Sequence, residues 1–171
     1  MNTNVKRRTY TYPVLLLLLP ILLSGCSDAP TEPQPDHGSP LLEVVFRHTY
    51  ALYAQSHFNF SFATFAQADT WVWEVDSDEE LRDIDPQLSE KLGDLPLPLR
   101  PYSECNVGMG VSHPDFTRGG ILLWVGSITV TSQSSVIVYA GWAGRDLGGA
   151  RGLFELHWDS NRWKVVKQTG V

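Results

Sequence analysis

The hydrophobic and polar positions divide the 171-residue chain into three parts. Residues 1–25 contain an apolar run, residues 26–40 are rich in proline and poor in apolar side chains, and residues 41–171 mix apolar and polar patterns. The proline-rich part is typical of an extended tether. The last part is long enough to bury a core of its own, so we expect one globular domain there.

The first residues of this domain have apolar positions at helical spacing. The positions that share one face are Leu42, Val45, Phe46, Thr49, Tyr50 and Tyr53. Because residues three and four positions apart lie on the same side of a helix, the spacing predicts an amphipathic helix over about residues 41–55. Ser39 is the expected N-cap and Pro40 the first helical residue.

The middle of the chain has a mixed pattern. In TWVWEV, residues 70–75, a period of two predicts a strand with Trp71 and Trp73 on the same face. Asp85 and Pro86 predict the start of a second, short helix, which the prolines of LPLPLRP end because proline cannot continue a helix. We expect helix and loop over the rest of this region.

The last fifty residues predict four strands of an antiparallel meander. The segments GILLWVGSITV, SVIVYAGW, GLFELHWD and RWKVVKQ are rich in β-branched and aromatic residues and are separated by turn residues. Asp159, Ser160 and Asn161 are expected to form a hairpin turn. Since residues 121–125 are all apolar, they are expected to form a central strand that is covered on both faces.

A helix followed by a curved antiparallel sheet that ends in RWKVV, residues 162–166, resembles the NTF2-like α+β cone. The tripeptide SEC, residues 103–105, is similar to one that precedes such a meander in a group of uncharacterised bacterial secreted proteins. The resemblance implies an α+β fold in which the N-terminal amphipathic helix packs on the sheet, whose concave face forms a pocket or is filled with side chains. A cystatin-like or sandwich arrangement of the same strands is the alternative.

The apolar run at residues 14–23 follows three basic residues, Lys6, Arg7 and Arg8, and no acidic residue appears before Asp28. This order of charges is typical of an export signal. Ten helical residues span about 15 Å, which is too short to cross a hydrocarbon core about 30 Å thick. The run therefore predicts a signal peptide and not a transmembrane helix.

The tetrapeptide that closes this run, Leu23-Ser24-Gly25-Cys26, resembles the lipobox of bacterial lipoproteins. The resemblance implies that residues 1–25 are removed and that Cys26 carries fatty-acyl chains such as palmitate, which hold the protein at the cell envelope and facing away from the cytoplasm. In such lipoproteins an aspartate after the cysteine favours the inner membrane. Here Ser27 follows Cys26, which favours the outer membrane if the cell has one. An ordinary cleavage site with a chance cysteine is the alternative.

Charge and cysteine content argue against nucleic-acid binding and against an intramolecular disulfide. Residues 1–25 carry three of the 13 Lys and Arg, so ten basic residues remain against 19 acidic ones. Such a surface repels phosphate backbones, and nucleic-acid binding is therefore not expected. With Cys26 lipidated, Cys105 has no partner for an intramolecular disulfide, and we expect its side chain to be buried.

Three side chains are candidates for catalysis: His48 on the predicted helix, Cys105 and His113. A cysteine nucleophile needs a histidine within hydrogen-bond distance and a lowered thiol pKa. The loop between Cys105 and His113 neither supports nor excludes such a contact. For both histidines, a position on the surface or in the core without any role in catalysis is the plainer interpretation.

Trp71, Trp73 and Trp142 are candidates for binding, since tryptophan serves ligand pockets and interfaces as well as cores. Core packing is the alternative for each of them. No metal site is expected, because no two histidines have the i, i+4 spacing of a helical pair and the acidic run at residues 76–85 does not fit an EF-hand loop. No cofactor is expected either, because the chain lacks a phosphate-binding fingerprint.

Three functions stay open at this point. The first is a non-enzymatic lipoprotein that binds a protein or small-molecule partner at the envelope. The second is a small hydrolase or isomerase that uses His48, Cys105 or His113 in a pocket. The third is a structural or assembly accessory without a pocket.

The lipid anchor is directly testable. We expect the N-terminal peptide of the membrane-bound protein to begin at Cys26 and to carry the mass of two or three fatty-acyl chains, because one chain alone binds a bilayer only marginally. Mass spectrometry of that peptide measures this. A Cys26→Ala variant should lose both the added mass and membrane retention, whereas a free, unmodified Cys26 on a released protein would contradict the prediction.

Overall fold

Helix α1 spans Ser39–Tyr53 and is the first regular element of the computed structural model, which describes residues 35–54, 60–68, 81–108, 110–144 and 148–170. The helix lies close to its predicted bounds and buries five of the six predicted positions, together with Leu41. The predicted N-cap, Ser39, is wrong by one residue. Gly38 is the N-cap, and its N–H donates to Asp36 Oδ1 at 2.7 Å, which turns the chain into the helix one residue earlier.

A second helix and nine strands follow in the described residues. The strands are β1 (Ala63–Gln67), β2 (Arg82–Asp83), β3 (Leu99–Pro101), β4 (Asn106–Val107), β5 (Val111–Ser112), β6 (Ile121–Ser132), β7 (Ser135–Ala143), β8 (Gly149–Asp159) and β9 (Arg162–Thr169). Helix α2 spans Pro86–Lys91, and the side chain of its N-cap, Asp85, accepts a hydrogen bond from Gln87 N–H. The predicted second helix is therefore confirmed.

The strands form one mixed sheet and one separate hairpin. The sheet has the order β2-β1-β6-β7-β8-β9, with β3 also paired to β1, and β4 pairs with β5. Strands β6 to β9 form the predicted antiparallel meander. The sheet as a whole is not antiparallel, because β1 runs parallel to both β6 and β3, as strands joined by long connections can. The α+β class is confirmed.

The turn between β8 and β9 has the predicted geometry. Ser160 and Asn161 have φ angles of 52° and 62°, and Asp159 pairs with Arg162 across the hairpin. Two consecutive residues with positive φ are the mark of the two-residue hairpin turn whose twist matches that of the strands. Asn tolerates this conformation better than most residues do.

The first half of strand β6 is buried on both faces. Ile121, Leu123 and Val125 pack on the side of α1, while Leu122 and Trp124 pack on the opposite side. The prediction of a central, two-sided strand at residues 121–125 is therefore confirmed. On the side away from α1, the cover comes from residues 102–108 and 110–118, here called the cover segment, which contains a short 3-10 turn and strands β4 and β5.

The start of the described chain lies against β9. The indole N–H of Trp163 donates to the carbonyl oxygen of Asp36 at 2.8 Å, and the rings of His37 and Trp163 are 5.3 Å apart. The end of the predicted tether is thus held by the sheet. Cys26, the first part of the tether and the predicted strand with Trp71 and Trp73 lie outside the described residues. Within the described part of the chain, no helix has the length and apolar character needed to cross a membrane.

Gly120 gives a test of how the cover segment joins the sheet. Its N–H donates to the carbonyl oxygen of Val111, and a Cβ at this position would overlap the Phe62 ring, which is fully buried. We expect Gly120→Ala to lower the free energy of unfolding by about 1–3 kcal/mol, as overpacking of a core does. Urea denaturation measures this.

Gly108→Ala is the matched control, because the nearest atom to its added Cβ would be Asn106 Oδ1 at 4.0 Å. The control should change stability by less than about 0.5 kcal/mol. Equal stability of the two variants would contradict the close packing at Gly120.

Candidate functional site

A surface cleft in the cover segment brings together two of the three predicted catalytic candidates. Its volume is about 490 Å³. The side chains that matter for its chemistry are Glu104, Cys105, His113 and Phe116. The third candidate, His48, lies on α1 and packs edge-on against Phe154 at 5.8 Å, on the other face of the sheet. His48 therefore cannot act in this cleft.

The register of the β4–β5 hairpin explains why Cys105 and His113 meet. Asn106 pairs with Ser112 in an antiparallel ladder. Cys105 precedes Asn106 and His113 follows Ser112, so these two residues occupy the next opposed positions of the ladder. The 3-10 turn at Tyr102–Glu104 ends at Cys105, whose N–H donates to the carbonyl oxygen of Tyr102 and so fixes the entry to the hairpin.

The imidazole of His113 is fixed on both sides. Only 8% of the residue is exposed, and its ring packs against Phe62 and Phe116 at 5.8 and 5.7 Å. Its Nδ1 accepts a hydrogen bond from Asp115 N–H at 3.1 Å, and its Nε2 lies 3.5 Å from Glu104 Oε2. In the neutral ring the proton is therefore on Nε2 and faces the carboxylate.

The surroundings of Cys105 favour the neutral thiol over the thiolate. Burial raises its pKa, and the nearby negative charges of Glu104 and Asp83 raise it further, against the opposing effects of the Thr64 hydroxyl and Arg100. The Sγ donates to the carbonyl oxygen of Pro101 at 3.3 Å. The side chain is partly buried, less than expected from the sequence.

No hydrogen bond joins Cys105 Sγ to His113 among the described residues, since the two ring nitrogens face Asp115 N–H and Glu104. A reactive cysteine requires a thiolate stabilised by a nearby cation or by a base that takes its proton. The cleft brings the two predicted side chains together without activating the sulfur. What remains is a neutral thiol, an oriented imidazole and a carboxylate around an aromatic wall.

Phe116 forms an aromatic wall of the cleft and Arg100 packs on it, and the sequence analysis missed both. The guanidinium of Arg100 lies 5.1 Å above the Phe116 ring, a cation–π arrangement, and its Nη2 lies 3.6 Å from Asp115 Oδ2. Arg100 falls between prolines in PLRP, where no periodicity marks the direction of its side chain. Only the three-dimensional pairing of β3 with β1 places it here.

The tryptophan candidates do not share this cleft. Trp142 is half-buried at the end of β7, where its ring stacks on Tyr53 of α1 at 5.4 Å. This contact is on the helix side of the sheet. Trp71 and Trp73 lie outside the described residues. In the part of the chain that the structure describes, no three His, Cys, Asp or Glu side chains are grouped so that they could bind a metal ion.

The state of the Cys105 thiol can be measured by its rate of alkylation by iodoacetamide against pH, with peptide mass spectrometry to separate it from Cys26. We expect the midpoint to lie above the value of about 8.5 for a free cysteine, because burial disfavours the thiolate. Glu104→Gln removes a negative charge that raises the thiol pKa, so its midpoint should be lower than that of the wild type. Glu90→Gln, an exposed change on α2, should leave it unchanged.

A midpoint below that of free cysteine would show instead that the thiol is activated, and the neutral state described above would be wrong.

In comparisons with known proteins, no family model, no curated protein and no solved structure matches this chain.

Proposed function

We propose that the protein is a lipid-anchored lipoprotein of the bacterial cell envelope that binds a protein or small-molecule partner and does not catalyse a reaction. The proposal of binding without catalysis rests on one observation, the hydrogen bonding and protonation preference of the cysteine and histidine in the cleft. The pKa of its cysteine is raised, the thiol donates a hydrogen bond to the carbonyl oxygen of Pro101, and its histidine contacts Glu104 and Asp115. Such a set can accept and donate hydrogen bonds to a ligand, but it holds no activated nucleophile.

The first half of the proposal rests on the sequence. Basic residues, a short apolar run, two small residues and Cys26 follow one another in the order that a lipoprotein signal requires. Ser27 after the cysteine supports the outer membrane as the destination in a cell that has one. In this proposal the acyl chains attach the protein to the membrane, and the folded domain works outside the cytoplasm.

The finer fold proposal is an NTF2-like cone, with a cystatin-like arrangement as the alternative. Helix α1 against the antiparallel meander β6 to β9 supports the first. The parallel strand β1 is a departure from the antiparallel sheet that we predicted. The face beneath α1 is filled by side chains such as Phe46, Phe65 and Phe154, so binding is proposed at the cover segment and not beneath the helix.

A pocket enzyme is the second candidate, and one observation favours it. Cys105 and His113 line the same cleft, and His113 has a defined tautomer with a carboxylate at Nε2, as a general acid or base would. The third candidate, a structural or assembly accessory, is supported by the buried apolar side chains between α1 and the sheet.

Site-specific photocrosslinking separates these functions. A photoreactive phenylalanine analogue at Ser112, an exposed residue of the cleft, should capture a partner in intact cells, while the same analogue at Gln133, in the exposed β6–β7 turn, should not. Mass spectrometry of the adducts measures this. Because Phe116 forms the aromatic wall, Phe116→Ala should reduce the Ser112 adduct by about tenfold or more.

Equal capture from both positions, or none from Ser112, would contradict a binding role for the cleft. If the protein chemically converts the small molecule that it captures, and the His113→Gln variant does not, the enzyme is favoured instead.

A further inference from the structure

The turn at the rim of the cleft, residues 113–116, is fastened to the imidazole of His113. Phe116 N–H closes the turn by donating to the carbonyl oxygen of His113 at 3.0 Å. Inside the turn, Asp115 N–H donates to Nδ1 of the His113 ring at 3.1 Å. Pro114 and Phe116 of this turn line the cleft. The shape of the cleft therefore depends on a ring that can accept a hydrogen bond.

Only the neutral ring can accept that hydrogen bond. A neutral imidazole has one donor and one acceptor nitrogen, whereas the protonated ring has two donors and no acceptor. In protonated His113, Nδ1–H and Asp115 N–H would face each other as two donors at 3.1 Å. The nearest acceptor for the new Nδ1–H is Asp115 Oδ2, which lies 3.9 Å from Nδ1. Protonation therefore replaces a bond to the Asp115 backbone by attraction to its side chain, and this change requires a displacement.

The displacement is expected in the turn and not in the ring. The residue His113 is 8% exposed, and its ring packs edge-on against Phe62 and Phe116. Phe62 is fully buried and brings no charge to the ring. On the other side, Nε2 faces Glu104 Oε2 at 3.5 Å, an attraction that becomes stronger when the ring is charged. Asp115, in contrast, is exposed.

The charged groups that face the ring come from three elements. Glu104 belongs to the 3-10 turn, Asp115 to the rim turn, and Arg100 to β3. Arg100 Nη2 lies 3.6 Å from Asp115 Oδ2. At the opposed position of the ladder, Cys105 favours its neutral thiol because its pKa is raised. Carboxylic acids ordinarily titrate near pH 4, whereas histidine is the residue type that changes its charge between about pH 5 and 8.

From this arrangement we propose that His113 is a pH switch of the cleft. At neutral pH the uncharged ring accepts the Asp115 N–H, holds the rim turn and keeps Phe116 in the wall of the cleft. When the pH falls and Nδ1 takes up a proton, this hydrogen bond is lost and the turn is released. Release of a bound partner at acidic pH follows from this, and that consequence alone rests on the proposed function.

NMR spectroscopy of the ¹⁵N-labelled full chain tests the switch without any ligand. At about pH 7.5 we expect the His113 ring to carry its proton on Nε2, and at about pH 5.5 to carry protons on both nitrogens. The protection of Asp115 N–H against hydrogen exchange, corrected for the intrinsic rate at each pH, should fall about fivefold or more, as expected for the loss of one hydrogen bond. The N–H of Val138, in the middle of β7, should keep its protection because acid does not unfold the meander.

A variant and a matched control assign the change to this ring. In His113→Asn the side-chain oxygen can still accept the Asp115 N–H, as asparagine does from the N–H two residues ahead, but it cannot be protonated. Its Asp115 protection should therefore be the same at both pH values. His157→Gln removes an exposed histidine that also contacts a carboxylate, that of Glu155 at 3.1 Å, and should keep the full pH response.

Three results would overturn the proposal. They are a His113 ring that stays neutral at the lower pH, a protonated ring with unchanged protection of Asp115 N–H, and a pH response that persists in His113→Asn. The first two are measured on the wild type alone, so they decide the matter even where a variant does not fold.

The consequence for binding is measured by photocrosslinking at Ser112 in cells kept at either pH. We expect about fivefold less adduct or lower at the acidic pH in the wild type, and equal adduct at both pH values in His113→Asn. Equal capture by the wild type at both pH values would overturn the release of the partner. Capture at neither pH, together with the expected NMR response, would confirm the switch and contradict the proposed function, so the two failures are distinguishable.

Discussion

The burial of residues 121–125 of strand β6 on both faces is the constraint on which the rest of the structure depends. Leu123 needs the cover that α1 provides, and Leu122 and Trp124 need the cover segment on the opposite side. Apolar side chains on both faces would otherwise be exposed to water at a cost of about 25 cal/mol for each Å². The cover segment is therefore part of the core, although its surface carries the candidate site.

This double role explains the chemistry of the cleft. His113 and Cys105 lie where the cover segment contacts the sheet. Both therefore have apolar neighbours, such as Phe62 and Phe116. Burial is the largest of the effects that raise the thiol pKa of Cys105. The packing that covers β6 thus also disfavours the thiolate form of Cys105.

The sequence predicts the elements whose pattern is periodic and misses those whose partners are distant. Helix α1, the four-stranded meander and the turn at Ser160 and Asn161 follow from local spacing and turn residues. Strand β1 was missed because residues 62–66 are all buried, which removes the alternation, and because its two alanines have low strand propensity. Strand β3 was missed because Pro101 argues against a strand, although an edge position tolerates it.

The candidate site shows the same limit. Cys105 and His113 could be named from residue type alone, but their opposition depends on the register of a hairpin with two residues in each strand. The position of Arg100 over the Phe116 ring depends on the pairing of β3 with β1, which no local pattern encodes.

The contact between Asp36 and Trp163 lies at the end of the sheet opposite to the cleft. Trp163 lies near the β8–β9 turn, the end of the sheet that also holds Ser132 of β6, whereas the cleft adjoins Phe62 and Gly120 at the other end of β6. Strand β6 has twelve residues. At about 3.3 Å per residue, its two ends are about 35–40 Å apart. The contact of Asp36 with β9 and the cleft at His113 therefore lie at opposite ends of β6.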